Sequence, residues 1–156
     1  MTFRTGFAHA LILLALAPAP LCAQVSVPSD SVLRRVALRV AELDQRRQMP
    51  GATAATVDSL LALYSDSIVY EHPSVGAVVR GKPALRTGML RYHGSRPGMT
   101  METPTVVMGA LVALLETPAH PDPRAPTRPI PASRKALRVL EFDSHGLVRR
   151  VLDYPW

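Results

Sequence analysis

The chain has 156 residues, 47% of them hydrophobic and 5% aromatic, and its formal net charge is +6. That length is sufficient for one domain that buries its own core. The arginines occur in scattered pairs such as Arg34-Arg35 and Arg149-Arg150, interspersed with acidic residues, and aromatic residues are too few for a base-stacking platform. We therefore expect a solvated basic surface and no nucleic-acid partner.

The first 23 residues have the pattern of a secretory signal peptide. Arg4 supplies a positive start, and the apolar run from Ala8 to Pro20 is too short to span a bilayer comfortably. We predict cleavage after Ala23, export to the periplasm or the exterior, and no stable membrane insertion of the mature chain. Lipidation of Cys22 is the alternative, and it is disfavoured because Leu21 is not the small residue that lipoproteins carry there.

Cleavage leaves 133 residues (156 minus 23) and removes the only cysteine. The mature chain then has no disulfide, no thiolate zinc site and no cysteine nucleophile. Its histidines show no metal-ligand spacing, and neither a glycine-rich phosphate loop nor a nucleophile turn is recognisable. We predict a linker at 24–30 and a single domain at 31–156, with no metal and no cofactor.

Two amphipathic helices are predicted at the start of the domain. The first extends from Asp30 to Gln48, with Ser29 placed to cap it and with four apolar residues at helical spacing: Val32, Val36, Val40 and Leu43. Pro50-Gly51 ends it. The second begins near Thr53 and has the stripe Val57, Leu60, Leu61 and Tyr64.

A strand and a third helix follow. Ile68 to His72 favours extended structure, and Pro73 keeps the residue before it out of helical geometry. The short apolar piece at 77–79 is predicted to pair with this strand. The third helix is expected from Lys82 to about Tyr92, with Pro83 in its first turn and with Met89 and Tyr92 facing inward.

The second half of the chain predicts strands. Residues 101–117 favour two strands broken at Met108-Gly109. Residues 117–133 hold six of the fifteen prolines and predict an extended surface connection, either a lid or an insertion. The segments 135–143 and 147–154 flank Ser144-His145-Gly146 as an antiparallel hairpin. The predicted fold class is α+β, with three N-terminal helices packed in a curved, mostly antiparallel sheet.

Two stretches of the chain resemble a known superfamily. The pattern LYSDSIVYEHPSVGAVVRGKPALR resembles the helix–strand–loop–helix core of nuclear-transport-factor-2-like proteins, in particular their SnoaL-like and ketosteroid-isomerase-like branches. The hairpin VLEFDSHGLVRRVLDYPW is similar to the last two strands of the same superfamily. The resemblance covers Ser31 to Trp156 and implies a cone-like α+β barrel with an apolar pocket at one end.

The resemblance also implies catalytic positions. In ketosteroid isomerases the base precedes the proline after the first strand, and His72 occupies that place, where a neutral imidazole can accept a proton. The acid of those enzymes falls near Arg138, which cannot donate as an acid but can stabilise negative charge. Tyr70 and Asp153 complete the catalytic candidates. Epoxide hydrolases of the superfamily use an Asp-Arg-Asp arrangement around a water, and the sequence does not place all three members.

The remaining candidates are ligand-binding residues: Met89 and Tyr92 on the third helix, Glu116, and Tyr154 beside the terminal Asp153. If Arg138 is buried it needs a partner, which is Glu116 or Asp153.

Two functions follow from these residues. One is an exported domain that binds a small apolar molecule with a carbonyl or carboxylate group and catalyses proton transfer, isomerisation or hydration. The other is a non-catalytic module that dimerises or binds a partner through the sheet. Convergence of His72, Tyr70 and Arg138 in one cavity favours the first.

Overall fold

The computed structural model describes residues 27–119 and 134–154. Within these ranges three helices and six strands form one layered unit: α1 Asp30–Gln48, α2 Ala54–Leu61, β1 Tyr64–His72, β2 Ala77–Arg80, α3 Lys82–Leu90, β3 Thr105–Gly109, β4 Val112–Pro118, β5 Lys135–Phe142 and β6 Val148–Tyr154. A short 3-10 turn at Pro73–Val75 follows β1. The predicted signal peptide at 1–23 and most of the proline-rich segment lie outside the described residues.

The six strands form one sheet in the order β2-β1-β6-β5-β4-β3. Neighbouring strands are antiparallel except β1 and β6, which pair in parallel. The sheet is curved and open, with the helices on its concave side, and this confirms the α+β class. The cone predicted from the resemblance is therefore not closed into a complete barrel.

Helix α1 places one continuous seam of side chains against the interior. The seam follows the spacing 4, 3, 4, 3 along the buried residues Leu33, Ala37, Val40, Asp44 and Arg47. Fully burying each apolar member contributes about 1.5–3 kcal/mol for a side chain the size of valine or leucine. The predicted face was partly wrong, because Val32 is exposed. The seam instead carries two charged residues into the core.

Strand β1 is longer than predicted. It begins at Tyr64, which the sequence had placed in the stripe of the second helix, and that helix ends at Leu61. The polar residues at 65–67 are accommodated because the pairing of β1 with β6 shifts between Tyr64 and Val69. The side chain of Tyr64 is fully buried as a result.

Two smaller boundaries also differ from the predictions. Helix α3 ends at Leu90, so Tyr92 follows the helix and is 47% exposed. Met108 and Gly109 remain in β3, and the chain turns at residues 110–111 before β4 begins. In the part of the chain that the structure describes, each helix is too short or too polar to cross a membrane.

Candidate active site

The strand order brings the four predicted catalytic residues to one place. Strand β6 lies between β1 and β5, and its Asp153 is directly opposite Arg138 of β5. On the other side of β6, Tyr70 of β1 is in register with Val151. Because side chains alternate along a strand, His72 projects from the same face as Tyr70. All four side chains therefore meet on the concave face of the sheet.

The carboxylate of Asp153 is the centre of this group. The Tyr70 hydroxyl donates to Asp153 Oδ2 at 2.8 Å. Arg138 donates from Nε to Oδ1 at 3.3 Å and from Nη2 to Oδ2 at 3.2 Å. His72 Nδ1 lies 3.7 Å from Oδ2, and its ring is 5.2 Å from the ring of Tyr70. Asp153, one of the two partners that the sequence allowed for Arg138, is thus its partner in the sheet.

Helix α1 contributes a second carboxylate that sequence reasoning missed. Arg138 Nη1 donates to Asp44 Oδ2 at 2.8 Å, so its guanidinium bridges Asp44 and Asp153. Arg47, one helical turn after Asp44, donates from Nε to Asp44 Oδ1 at 2.8 Å. Gln48 donates to Asp44 Oδ2 at 3.1 Å. Asp44, Arg138 and Asp153 thus form an Asp-Arg-Asp contact, which the sequence did not place.

These residues form what we call the Asp153 cluster, and its members are Asp44, Arg47, Tyr70, His72, Arg138 and Asp153. A signal for its helical part exists in the sequence, since Asp44 and Arg47 continue the 4-3 spacing of the buried seam. Charged residues at seam positions indicate a buried ion pair, because a charge is buried only with a partner.

The charges of the cluster balance one another. Burial alone would raise the pKa of the Asp44 carboxyl, but the guanidinium groups of Arg138 and Arg47 outweigh it and hold that pKa well below its usual range. Burial lowers the pKa of Arg138, and the carboxylates of Asp153 and Asp44 more than reverse this. Asp44, Arg47 and Arg138 are therefore all ionised at neutral pH.

Tyr70 keeps its proton within this charged environment. Burial is the main cause that raises the pKa of its phenol well above the usual value. Arg138 acts in the opposite direction, and Asp153 adds to the rise. A protonated Tyr70 is a hydrogen-bond donor at neutral pH, which matches its contact with Asp153.

Solvent reaches the cluster from one end. The exposed fraction of the side chain is 36% for His72, 13% for Asp153 and 4% for Asp44. The described residues also form two surface grooves, of about 430 Å³ between α2 and α3 and about 290 Å³ beside α1. Neither groove is lined by a member of the cluster. Among these three residues of the cluster, His72 is the most exposed to solvent.

The four predicted ligand-binding residues lie outside the Asp153 cluster. Met89 is buried in the core, and Tyr92 is exposed after α3. Tyr154 is opposite Leu137 and Glu116 is opposite the same residue, so both project from the convex face, away from Asp153. Their role as ligand contacts stays a prediction. Residues 27–119 and 134–154 contain no group of three acidic, histidine or cysteine side chains placed to hold a metal ion.

The fold has clear relatives among solved structures, although no protein-family model and no curated protein matches the chain. A nuclear-transport-factor-2-like protein of unknown function from Burkholderia xenovorans LB400 aligns with a TM-score of 0.55 and 16% identity, over 80% of this chain and 82% of that one. A protein from Kribbella flavida DSM 17836 with the provisional name ketosteroid isomerase aligns with a TM-score of 0.50 and 16% identity, over 80% and 78%.

A third relative is SalBIII, an epoxide hydrolase/cyclase-like enzyme with a role in pyran ring formation in the polyether salinomycin. It aligns with a TM-score of 0.52 and 12% identity, over 81% of this chain and 92% of that one. The chain thus has the nuclear-transport-factor-2-like fold, as the sequence resemblance predicted. Enzymes of isomerase and epoxide-cyclase type are built on the same fold.

Proposed function

We propose that this domain binds a small apolar molecule with a carbonyl or carboxylate group at the Asp153 cluster and catalyses proton transfer on it. The observation that carries the proposal is the position of Asp153, which accepts hydrogen bonds from Tyr70 and Arg138 and lies 3.7 Å from His72 Nδ1. The place of action is proposed to be outside the cytoplasm, on the predicted signal peptide alone.

His72 is the proposed base. A carboxylate near Nδ1 favours the tautomer with its proton on that nitrogen, which leaves the lone pair of Nε2 to accept a proton. In the proposed step Nε2 takes a proton from the carbon beside the ligand carbonyl, and the electron pair moves onto the carbonyl oxygen as an enolate forms. Return of the proton to a different carbon completes an isomerisation.

Arg138 and Tyr70 support this base in different ways. The Arg138 guanidinium fixes the Asp153 carboxylate and supplies positive charge near a developing enolate. The Tyr70 hydroxyl, on the neighbouring strand β1, donates a hydrogen bond to Asp153 Oδ2. Asp153 is therefore a positioning residue for His72, held from both sides of β6.

Proton transfer is favoured over a hydration in which Asp44 is the acid. Opening of an epoxide by an Asp-Arg-Asp set requires one carboxyl to donate a proton as the other activates water. The pKa of Asp44 lies far below its usual range because Arg138 and Arg47 outweigh its burial, so Asp44 is ionised at neutral pH. It has no proton to donate.

The proposed base is tested by replacing His72 with glutamine. We expect the wild-type protein to accelerate deuterium exchange at C6 of 2-cyclohexenone, the saturated carbon beside its carbonyl, followed by proton NMR in D₂O. His72→Gln should lower the rate by about 10²–10⁴-fold, the usual contribution of a general base. His145→Gln is the matched control, because His145 is exposed in the β5–β6 turn, at the other end of the hairpin from Asp153. Equal rates for wild type and His72→Gln would remove His72 from the mechanism.

A second candidate function rests on the convex face of the sheet. One row of side chains crosses four strands there and is apolar throughout: Val107, Leu114, Val139 and Leu152. The next row contributes Leu137 and Tyr154, which are 37% and 40% exposed. The Glu116–Lys135 ion pair borders this apolar surface on one side, and the Glu71–Arg150 ion pair borders it on the other. A border with both signs of charge suits a second copy of the chain, so we propose a homodimer through this face.

The dimer is tested by Leu137→Lys, which places a charge at the centre of the proposed contact. We expect the wild-type protein to elute with the mass of a dimer in light-scattering chromatography and the variant with the mass of a monomer. Val75→Lys is the control, since Val75 is 76% exposed in the turn after β1. A wild-type protein that is monomeric at every concentration measured would end this candidate.

A further inference from the structure

The connection from α3 to β3, residues 91–104, lies against the last turn of α1. Its two ends are fixed, because α3 precedes it and the buried Pro104 leads directly into β3. Between these ends none of residues 94–103 is buried. Apolar packing therefore contributes little to holding residues 94–103, which we call the strap.

Hydrogen bonds attach the strap to α1 at both of its ends. Near its start, the Gly94 N–H donates to the Arg47 carbonyl oxygen at 2.8 Å. Two residues later, the Arg96 N–H donates to the Gln48 carbonyl oxygen at 2.9 Å. Carbonyl groups in the last turn of a helix have no donor within the helix, so they are available to a neighbouring segment.

Gln45 binds the other end of the strap as a neighbouring strand would. Its Nε2 donates to the Glu102 carbonyl oxygen at 2.7 Å, and its Oε1 accepts from the Glu102 N–H at 2.7 Å. The Gln45 side chain is buried, and a buried amide is costly unless it is hydrogen-bonded. Because both contacts are to the backbone, Gln45 fixes the chain at position 102 whatever side chain stands there.

The backbone of the strap has positions that suit a change of direction. Gly94 and Gly98 have φ values of 65° and 78°, in the region that favours glycine. A Cβ added at Gly98 would have no atom within 4 Å, so conformation and not space accounts for the glycine there. Small residues in loops are common hinges, because they absorb changes in φ and ψ while the flanking elements stay folded.

The strap also forms one wall of the groove beside α1. Leu38 and Glu42 of the helix line one side of this groove of about 290 Å³, and Met101, Glu102 and Thr103 of the strap line the other. Movement of the strap away from α1 therefore widens the groove. The hydrogen bonds of the Asp153 cluster join α1 to the sheet, so the helix has its own attachment when the strap moves.

We propose that the strap opens as one unit, with Gln45 as its latch, while α1 stays docked on the sheet. Opening breaks the four hydrogen bonds to α1 together and moves the strap side of the groove away from the helix. Because no residue of the strap is buried, opening exposes little apolar surface and costs much less than unfolding the domain. The strap is thus a conformational device that controls access to the groove, and it does not depend on the proposed chemistry at Asp153.

Hydrogen exchange followed by NMR tests the opening in the wild-type protein. The amides of Gly94, Arg96 and Glu102 should have similar protection factors, and urea up to about 1 M should not change them, because a local opening exposes little surface. The amide of Val148, which donates to the Leu63 carbonyl, should exchange at least about 100-fold more slowly and should accelerate with urea. Strap amides that accelerate with urea as Val148 does would show that the strap opens only when the whole domain unfolds.

Gln45→Leu tests the latch. Leucine fills nearly the same volume and removes two hydrogen bonds, so the amides of Gly94, Arg96 and Glu102 should all exchange about five- to hundredfold faster. Glu102→Gln is the matched control. It changes the side chain of the strap residue that Gln45 binds and leaves both backbone contacts in place, so exchange should match the wild type.

The outcomes of these experiments decide the inference in separate parts. If Gln45→Leu accelerates exchange at Glu102 alone, the strap does not open as one unit. If it leaves all three amides unchanged, Gln45 is not the latch. The urea dependence in the wild-type protein needs no variant, so a loss of overall stability in Gln45→Leu does not prevent the test of opening.

Discussion

We expect Asp44→Asn to lower the free energy of unfolding by about 3–5 kcal/mol, which is the usual cost of removing one partner from a buried ion pair. The substitution keeps the shape of the side chain and removes its charge. Arg138 and Arg47 would then lose the carboxylate to which they donate at 2.8 Å each, and both guanidinium groups would stay buried. Urea unfolding followed by circular dichroism measures the change.

Glu42→Gln is the matched control for this prediction. Glu42 lies on the same helix and also contacts two arginines, at 2.6 Å from Arg39 and 2.9 Å from Arg46, but its side chain is 33% exposed. Exposed ion pairs of this kind contribute about 0–1 kcal/mol. A similar cost for Asp44→Asn and Glu42→Gln would show that the cluster does not fasten α1 to the sheet.

The stabilisation by Asp44 has a defined pH dependence. Its pKa in the folded protein is held below the ordinary value, so the unfolded chain takes up the proton first as the solution is acidified. The contribution is fully present above about pH 4, the ordinary pKa of an aspartate, and is lost as pH falls below it. Acid weakens the link between α1 and β5 before it affects the apolar core.

Local sequence signals predicted much of this molecule. The bounds of α1 follow from its apolar periodicity, and the end of the first strand at His72 follows from Pro73. The C-terminal hairpin follows from the turn that contains Gly146. Each of these signals acts on its immediate neighbours in the chain. The pairing of Arg138 with Asp153 follows from that hairpin, because the turn sets the register that puts them opposite each other.

The part that could not be predicted depends on contacts between distant segments. Which residue of α1 reaches Arg138 is decided by how the helix docks on the sheet, 94 positions apart in the chain. Because the charged residues of α1 were expected on its exposed face, the burial of Asp44 was not predicted. Tyr64 was assigned to the wrong element for a similar reason. Its apolar ring fits a helical stripe and a buried strand equally well, and only the shifted pairing of β1 with β6 shows that it belongs to the strand.

Stability and the proposed chemistry use the same residues in this protein. Arg138 connects α1 to the sheet by its contact with Asp44, and it positions the proposed base by its contact with Asp153. The two carboxylates that Arg138 contacts therefore have different roles.

Replacement of Arg138 is expected to have the largest effect of any single change. Arg138→Met removes the cation between Asp44 and Asp153 and leaves two buried carboxylates on facing elements. We expect a loss of at least about 3–5 kcal/mol at pH 7, together with a reversed pH dependence. Protonation of one carboxylate relieves the unmatched charge, so the folded variant binds a proton more readily than the unfolded chain does. Its stability should therefore rise between pH 7 and pH 5, a range in which Asp44 of the wild-type protein stays ionised.

Arg150→Met separates this effect from the general loss of an arginine. Arg150 also contacts two carboxylates, Glu71 at 2.9 Å and Glu141 at 3.3 Å, but it lies on the convex face and is 40% exposed. Because water solvates the glutamates that it leaves behind, we expect a cost of at most about 1 kcal/mol and no reversal with pH. Urea midpoints measured at pH 5, 6 and 7 decide between the two cases. An Arg138→Met protein whose midpoint falls on acidification would mean that solvent reaches Asp44 and Asp153, and a ligand site enclosed around them would then have no physical basis.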